Sequence, residues 1–254
     1  MSGRRYRLAV FVLILALVAA YPAVASAAEL VIMATTDIHA NIYPWDYYAN
    51  RPNDNVGLAK IYTLVKEIRA SHPNTLLFDN GDLIQGTPLA SYLVANGLPA
   101  PGEVHPIIDV MNRMGYDAAT LGNHEFNFGL DYALNTIAGA QFPYVLANVY
   151  HPGTQDPYFT PYVILERTID GQPIRIGVIG FVPPQIMVWD RTNLTGKVEA
   201  GSIIEAAQRF VPEMKAKGAD IVIALAHTGA TPGNRSENAA YTLAEEVPGI
   251  DVII

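Results

Sequence analysis

Hydrophobic and polar positions fall into a repeated pattern along this chain: a short apolar run, then a polar residue able to do chemistry. The stretch from Glu29 to Thr35 predicts a buried strand. After a loop rich in Tyr, Asn and Pro, Leu58, Ile61, Leu64, Val65 and Ile68 recur at helical spacing. Thr75 to Phe78 predicts a second strand, Ile107 to Met114 a second helix, Ala118 to Leu121 a third strand and Tyr144 to Val149 a fourth. Two strand-like runs, Val163 to Ile169 and Ile174 to Ile179, flank Asp170-Gly171-Gln172-Pro173; Asp-Gly between such runs signals an antiparallel hairpin. The final third predicts a helix over Ile203 to Lys217, a strand over Asp220 to Ala226, a helix over Asn238 to Glu246, and a strand beginning at Asp251-Val252-Ile253-Ile254. Strands alternating with helices, interrupted by a hairpin, predict an α/β fold containing a mixed sheet.

The chain has 254 residues, half of them hydrophobic, enough for one large domain with a full core. Its formal net charge of -8 argues against a partner that is a nucleic acid polymer, because phosphate backbones need a basic face. It has no cysteine, so disulfides and thiol nucleophiles are excluded, and any metal must be held by oxygen and nitrogen ligands. Arg4, Arg5 and Arg7 precede an apolar run from Leu8 to Ala20, and Ala25-Ser26-Ala27 supplies small residues. That pattern predicts a signal peptide over 1–27, cleaved after Ala27, and export of a catalytic domain over 28–254 to the periplasm or medium. Left uncleaved, the same segment is the chain's one expected membrane contact; no protein partner is suggested. Because Val252-Ile253-Ile254 reads as the inside of a sheet, the domain is expected to be cut short before its last strands.

The chemistry lies at the strand exits. Asp37 and His39 are two apart, so in extended backbone their side chains would point the same way onto one ion. Asp82 follows Asn80-Gly81 and has two oxygens with which to bridge two ions. Asn123 and His124 follow Gly122, and His227 follows the apolar run that ends at Ala226. Each of these alone is commonly structural. Four polar exits from four strands, however, are where open α/β sheets place their sites. Other chemistries lack their motifs: there is no Gly-x-Ser-x-Gly elbow and no phosphate-binding Gly-x-x-x-x-Gly-Lys loop, and His124-Glu125 is followed by Phe128 where a zinc protease needs its second histidine.

Thr35-Thr36-Asp37-Ile38-His39, Asp79-Asn80-Gly81-Asp82, Gly122-Asn123-His124-Glu125-Phe126 and Ala226-His227-Thr228-Gly229 together resemble the calcineurin-like metallophosphoesterases, in their 5'-nucleotidase branch. Longer stretches without evident chemistry narrow the resemblance: Tyr43-Pro44-Trp45-Asp46-Tyr47-Tyr48, Gln85-Gly86-Thr87-Pro88-Leu89, and the run from Phe181 to Asp190. These are similar to the periplasmic 2',3'-cyclic-nucleotide 2'-phosphodiesterase/3'-nucleotidases. The resemblance runs from about residue 30 to the end. It implies a metallophosphoesterase fold, with mixed sheets packed as a sandwich between helices in four layers, αββα. It also implies two divalent ions, of manganese, zinc, cobalt or iron, with Asp37 and His39 on the first, Asp82 bridging, and Asn123 and His227 on the second.

On the same resemblance Asn123 and His124 contact the substrate phosphate, His124 is the acid, and a hydroxide bridging the ions attacks phosphorus in line. The implied substrates are nucleotides: a 2',3'-cyclic nucleotide is opened to the 3'-nucleotide, whose phosphate is then removed. A 5'-nucleotidase or UDP-sugar hydrolase, and an inactive metal- or nucleotide-binding module, are the alternatives. Two departures stand out. Asn127 occupies a position where many of the wider branch carry an Asp that orients and charges the catalytic histidine, and an amide favours the imidazolium less. The Gly-His-x-His motif that completes both metal shells, and the C-terminal domain that sandwiches the base, are not in 1–254. Weak metal retention and little nucleotide specificity are the expected consequences.

Overall fold

In a computed structural model, the structure describes residues 28–100, 102–231 and 237–254. The expected signal peptide, 1–27, lies outside the described residues. Along the chain the strands are β1 (Val31–Thr35), β2 (Trp45–Asp46), β3 (Arg51–Pro52), β4 (Thr75–Asp79), β5 (Ala118–Ala119), β6 (Val149–Tyr150), β7 (Tyr162–Ile169), β8 (Gln172–Phe181), β9 (Glu199–Ala200), β10 (Ile221–Ala226) and β11 (Val252–Ile253). The helices are α1 (Leu58–Ser71), α2 (Pro88–Ala95), α3 (Pro106–Met114), α4 (Leu130–Ile137), the short α5 (Ile186–Trp189) and α6 (Arg191–Leu194), α7 (Ile203–Ala216) and α8 (Ala240–Glu246). Among the described residues no helix is long and apolar enough to cross a membrane.

Two sheets carry the architecture. The first is parallel, in the order β1-β4-β5, and the second is mixed, in the order β11-β10-β8-β7, with only β7 antiparallel. Alternation along the strands assigns their faces. Leu76 and Phe78 of β4 pack with Ile176 and Val178 of β8 and Ile223 and Leu225 of β10, so this cluster is the seam between the sheets. The intervening Leu77, with Met33 of β1, turns to Leu58 and Val65 of α1 and to Ile107, Ile108, Met111 and Met114 of α3. On the far side Val222, Ala224 and Ala226 of β10 meet Phe210, Val211 and Met214 of α7 and Leu243 of α8. Helix, sheet, sheet, helix is the resulting order, the four-layer αββα sandwich that the resemblance implies.

Two expectations change. The hairpin turn is two residues, not four: Asp170 (φ 49) and Gly171 (φ 81) both take left-handed backbone, and Ile169 pairs directly with Gln172. Pro173 is tolerated in β8 because pairing with β10 begins only at Ile176, so its missing N–H costs no bond on that side. The fourth strand expected over 144–149 is not a strand for most of its length. Val145 donates its N–H to Ala119 in the first sheet, while Ala147 donates to Gly180 in the second. A segment that hands its hydrogen bonds from one sheet to the other cannot keep a regular ladder with either.

One buried histidine gives this fold a pH dependence. His105 caps α3, its Nδ1 accepting from the Ile107 N–H at 3.2 Å, and burial pushes its imidazole down to about 4. The unfolded chain therefore binds one more proton than the folded protein between about pH 4 and 6.5. The stability it contributes is complete above pH 6.5 and falls as pH drops toward 4, by at most about 1.4 kcal/mol per pH unit. Asp79, pushed up to about 7 chiefly by burial, has the opposite slope over much of this range. His105→Asn keeps a capping acceptor and removes only the first titration. Urea unfolding across that range is expected to show a smaller acid-side loss than the parent; equal losses would contradict this account of His105.

Candidate metal centre

The polar residues expected at the strand exits are gathered by backbone turns rather than by alternation along strands. β1 ends at Thr35 and β4 at Asp79, and the loops that follow are laced together: Asp37 N–H donates to Gly81, His39 N–H to Asp82 and Ala40 N–H to Leu83, at 3.0, 3.0 and 2.7 Å. Asp37, His39 and Asp82 have φ of 53, 50 and 58°, so the extended geometry expected for Asp37 and His39 is not what aligns them. Each such non-glycine residue costs on the order of 1 kcal/mol or more, and it is the lacing that holds them there.

Close approach explains the neighbouring glycines. A Cβ on Gly122 would lie 2.2 Å from Asp82 Oδ1, and one on Gly81 would lie 2.3 Å from the Gly122 nitrogen. The Asp82 and Asn123 loops are thus packed backbone to backbone. Glu125 clamps them. Its Oε2 accepts from the N–H groups of Asp82 (2.9 Å) and Gly122 (2.6 Å), and its Oε1 from those of Leu83 (2.5 Å) and Ile84 (3.2 Å). Burial, with the nearby charge of Asp82, raises the Glu125 pKa against the pull of these donors.

Asp82 is the centre of the cluster. Its Oδ1 accepts the His124 N–H at 2.8 Å, and its Oδ2 lies 3.2 Å from His227 Nε2 and 3.9 Å from His124 Nε2. Ligand atoms of Asp37, Asp82 and His227 fall within 4.8 Å of one another, and so do those of His39, Asp82 and His124. Asp82 belongs to both sets. Asp37 also lies 3.7 Å from His39, whose ring meets that of His124 edge-on at 5.0 Å. Asn123 lines a cleft of about 400 Å3 together with Asp37, Asn80, Trp189 and His227. Asn127 stands behind His124. A larger, more apolar cleft runs along α1, away from all of these residues.

All three imidazoles are turned the same way. Nδ1 of His39 bonds the Gln85 carbonyl at 2.6 Å, Nδ1 of His227 the Asn80 carbonyl at 2.7 Å, and Nδ1 of His124 the Asn127 side-chain oxygen at 2.5 Å. These oxygens only accept, so each Nδ1 donates and each Nε2 is left facing Asp82 or Asp37. Lone pairs aimed at carboxylates repel unless a proton or cation lies between them. In the protein alone the proton does this at His227: burial opposes its charge, but the hydrogen bond and attraction to Asp82 push it up to about 9. Asp82 moves the other way, lowered despite its burial by His227 and by the His124 N–H. Nitrogen and carboxylate donors oriented from behind in this way fit divalent metal ions, and the site offers them at two places around one carboxylate.

The family model for calcineurin-like phosphoesterases matches residues 30–254. The chain belongs to this family. Over 234 residues, which are 89% of this chain and 35% of the relative, it is 51% identical to a 2',3'-cyclic-nucleotide 2'-phosphodiesterase/3'-nucleotidase of Haemophilus influenzae. The crystal structure of calcineurin-like phosphoesterase YfkN from Bacillus subtilis superposes with a TM-score of 0.85 at 50% identity, covering 89% of this chain and 71% of that one. A 5'-nucleotidase precursor from Thermus thermophilus is more distant, with a TM-score of 0.66 and 29% identity over 88% of this chain and 40% of that one. The chain spans about a third of the length of the cyclic-nucleotide relatives it matches.

Three residues that shape the site have no role assigned from the sequence alone. Glu125 lay inside a quoted motif without a role; a carboxylate between Gly-Asn-His and a buried Phe126 was the available signal. Asn80 holds His227 through its carbonyl, and its side-chain oxygen is buried without a partner. Asp190 closes a run that carried no evident chemistry, yet its Oδ1 accepts from Asn127 Nδ2 at 2.9 Å. No local pattern announced that contact, since its partners are separated by 63 positions.

Proposed function

We propose that this chain is the catalytic portion of an exported two-metal phosphoesterase that opens 2',3'-cyclic nucleotides to 3'-nucleotides and then removes the 3'-phosphate. The observation that carries the reading is the ring of Nε2 and carboxylate oxygens around Asp82, each imidazole fixed from behind. The high identity to relatives named for this pair of activities supports the choice of substrate.

Asp37 and His39 would hold one ion, Asn123 and His227 the other, with Asp82 shared between them. Two ions bound there would supply Lewis-acid stabilisation of the phosphate oxygens and a bound water acidic enough to attack at neutral pH. The protein's own residues do the rest. The Asn123 amide, which lines the cleft, would donate to a phosphate oxygen. His124, with Nδ1 occupied by Asn127, presents Nε2 to the site, and from there a proton would pass to the leaving ribose oxygen. Asp82 anchors the main chain at this residue by accepting the backbone N–H of His124.

The protein with manganese, zinc or cobalt added is expected to hydrolyse bis(4-nitrophenyl) phosphate. It should also convert 2',3'-cyclic AMP to 3'-AMP and then adenosine, with AMP a poor substrate and a chelator abolishing turnover. Preference for AMP would replace this reading with a 5'-nucleotidase, and no metal-dependent turnover on any of these would end it. Export rests on the pattern in 1–27, and the mass of the secreted chain reads its mature start.

A further inference from the structure

We infer that Asp190 is a positioning residue for His124, acting through Asn127 to dictate which nitrogen of the catalytic imidazole faces the substrate. The inference rests on the reading of His124 as the acid. Asp190 occupies the N-cap position of α6, where an Asp ordinarily accepts from the first helical N–H groups, yet its side chain makes no such bond. It is instead turned inward, 4% exposed, onto the Asn127 amide. The same short helix grips the turn a second time: Asn193 Nδ2 donates to the carbonyls of Phe126 and Asn127 at 2.9 and 3.0 Å. The backbone at Asn127 is thus held independently of Asp190. What the carboxylate adds is the direction of the amide.

An amide has an accepting end and a donating end of nearly equal size, so shape alone does not decide which end meets His124. An ionised carboxylate can only accept. By taking Nδ2–H, Asp190 leaves Asn127 Oδ1 for His124, and an oxygen there obliges Nδ1 to carry the hydrogen. Nε2 is then the nitrogen that exchanges protons in the cleft. If the amide were reversed, its N–H would meet Nδ1, which would have to be bare; the doubly protonated imidazolium required of an acid would have no acceptor behind it. Asp190 therefore excludes the reversed arrangement.

The test is Asp190→Asn, which keeps shape but lets two amides pair in either direction, set against the double variant Asn127→Asp/Asp190→Asn. In the double variant the two-ended group is moved outward, and position 127 becomes an acceptor toward both neighbours. With manganese present, Asp190→Asn is expected to lower kcat on 3'-AMP by about 10- to 100-fold, the usual range for a group behind an active-site histidine, with KM and metal content little changed. The double variant should recover most of the loss. Independently of activity, nitrogen-15 spectra of histidine-labelled, zinc-loaded protein should show His124 protonated on Nδ1 in the parent and the double variant, and mixed in Asp190→Asn, assigned by loss of the signal in His124→Gln.

An unchanged kcat in Asp190→Asn, or a loss that the double variant fails to restore while both proteins stay folded, would overturn the role of Asp190. So would an unchanged His124 spectrum. If the parent itself hydrolyses no phosphate ester, the reading of the site has failed instead, and the spectra alone decide whether Asp190 sets the imidazole.

Discussion

Glu125→Gln is expected to lower the unfolding free energy by roughly 4 kcal/mol and to strip the protein of its ability to retain metal, although only one oxygen is exchanged for an NH2. The reason is the number of donors this carboxylate serves. Oε2 takes the N–H groups of Asp82 and Gly122, and Oε1 those of Leu83 and Ile84, all in a region from which water is excluded. A glutamine can satisfy one of these pairs. Whichever way it turns, its NH2 faces two buried N–H groups, and each orphaned donor costs about 1–3 kcal/mol. The damage also falls at a particular place. The Asp82 loop and the Gly122 loop are in contact through glycines that leave no slack, so pushing them apart moves Asp82 away from the histidines it serves. Urea unfolding gives the stability, and zinc remaining after dialysis gives the metal retention. A variant with the parent's midpoint and full metal content would show that the clamp is dispensable.

The parts of this molecule legible in the sequence are those whose cause is local. Leu76-Leu77-Phe78 is apolar on both faces because β4 is buried between a sheet and a helical layer, and such a run is visible without knowing what covers it. Asp170-Gly171 announced its hairpin because both residues accept left-handed backbone. The polar exits at Asp37, Asp82, His124 and His227 could be listed because parallel strands deliver their ends to one edge. What was not legible depends on partners distant in sequence. The 144–149 segment has strand-like residues, but its bonding is divided between two sheets. Helix α2 went unread although Thr87 caps it and Pro88 opens it, because its residues are apolar nearly all round and show no helical stripe. Glu125 and Asp190 act on atoms about 40 to 60 positions away, and nothing in the residues around them specifies that reach.

His124→Ala is expected to lower activity while metal is retained, and the size of the loss should depend on the leaving group. If His124 delivers a proton to the departing oxygen, its removal matters most for an alkoxide that cannot leave unprotonated and least for a nitrophenolate that leaves unaided. About 1000-fold is expected on 3'-AMP, within the 100- to 10,000-fold range that positioned acids supply, and on the order of tenfold on bis(4-nitrophenyl) phosphate. The geometry sets a second condition. His124 Nε2 is 3.9 Å from Asp82 Oδ2 whereas His227 Nε2 is 3.2 Å away, so His227→Ala removes the closer nitrogen and should lose metal and both activities together. The two variants thus divide the labour of the site: one should separate the substrates while keeping metal, the other should not separate them at all. Equal losses on both esters in His124→Ala, with metal retained, would leave phosphate contact as its role and would move the acid to a bound water. Loss of metal in His124→Ala would instead make it a ligand, consistent with its place beside His39 and Asp82, so leaving-group dependence and metal content together decide what this histidine does.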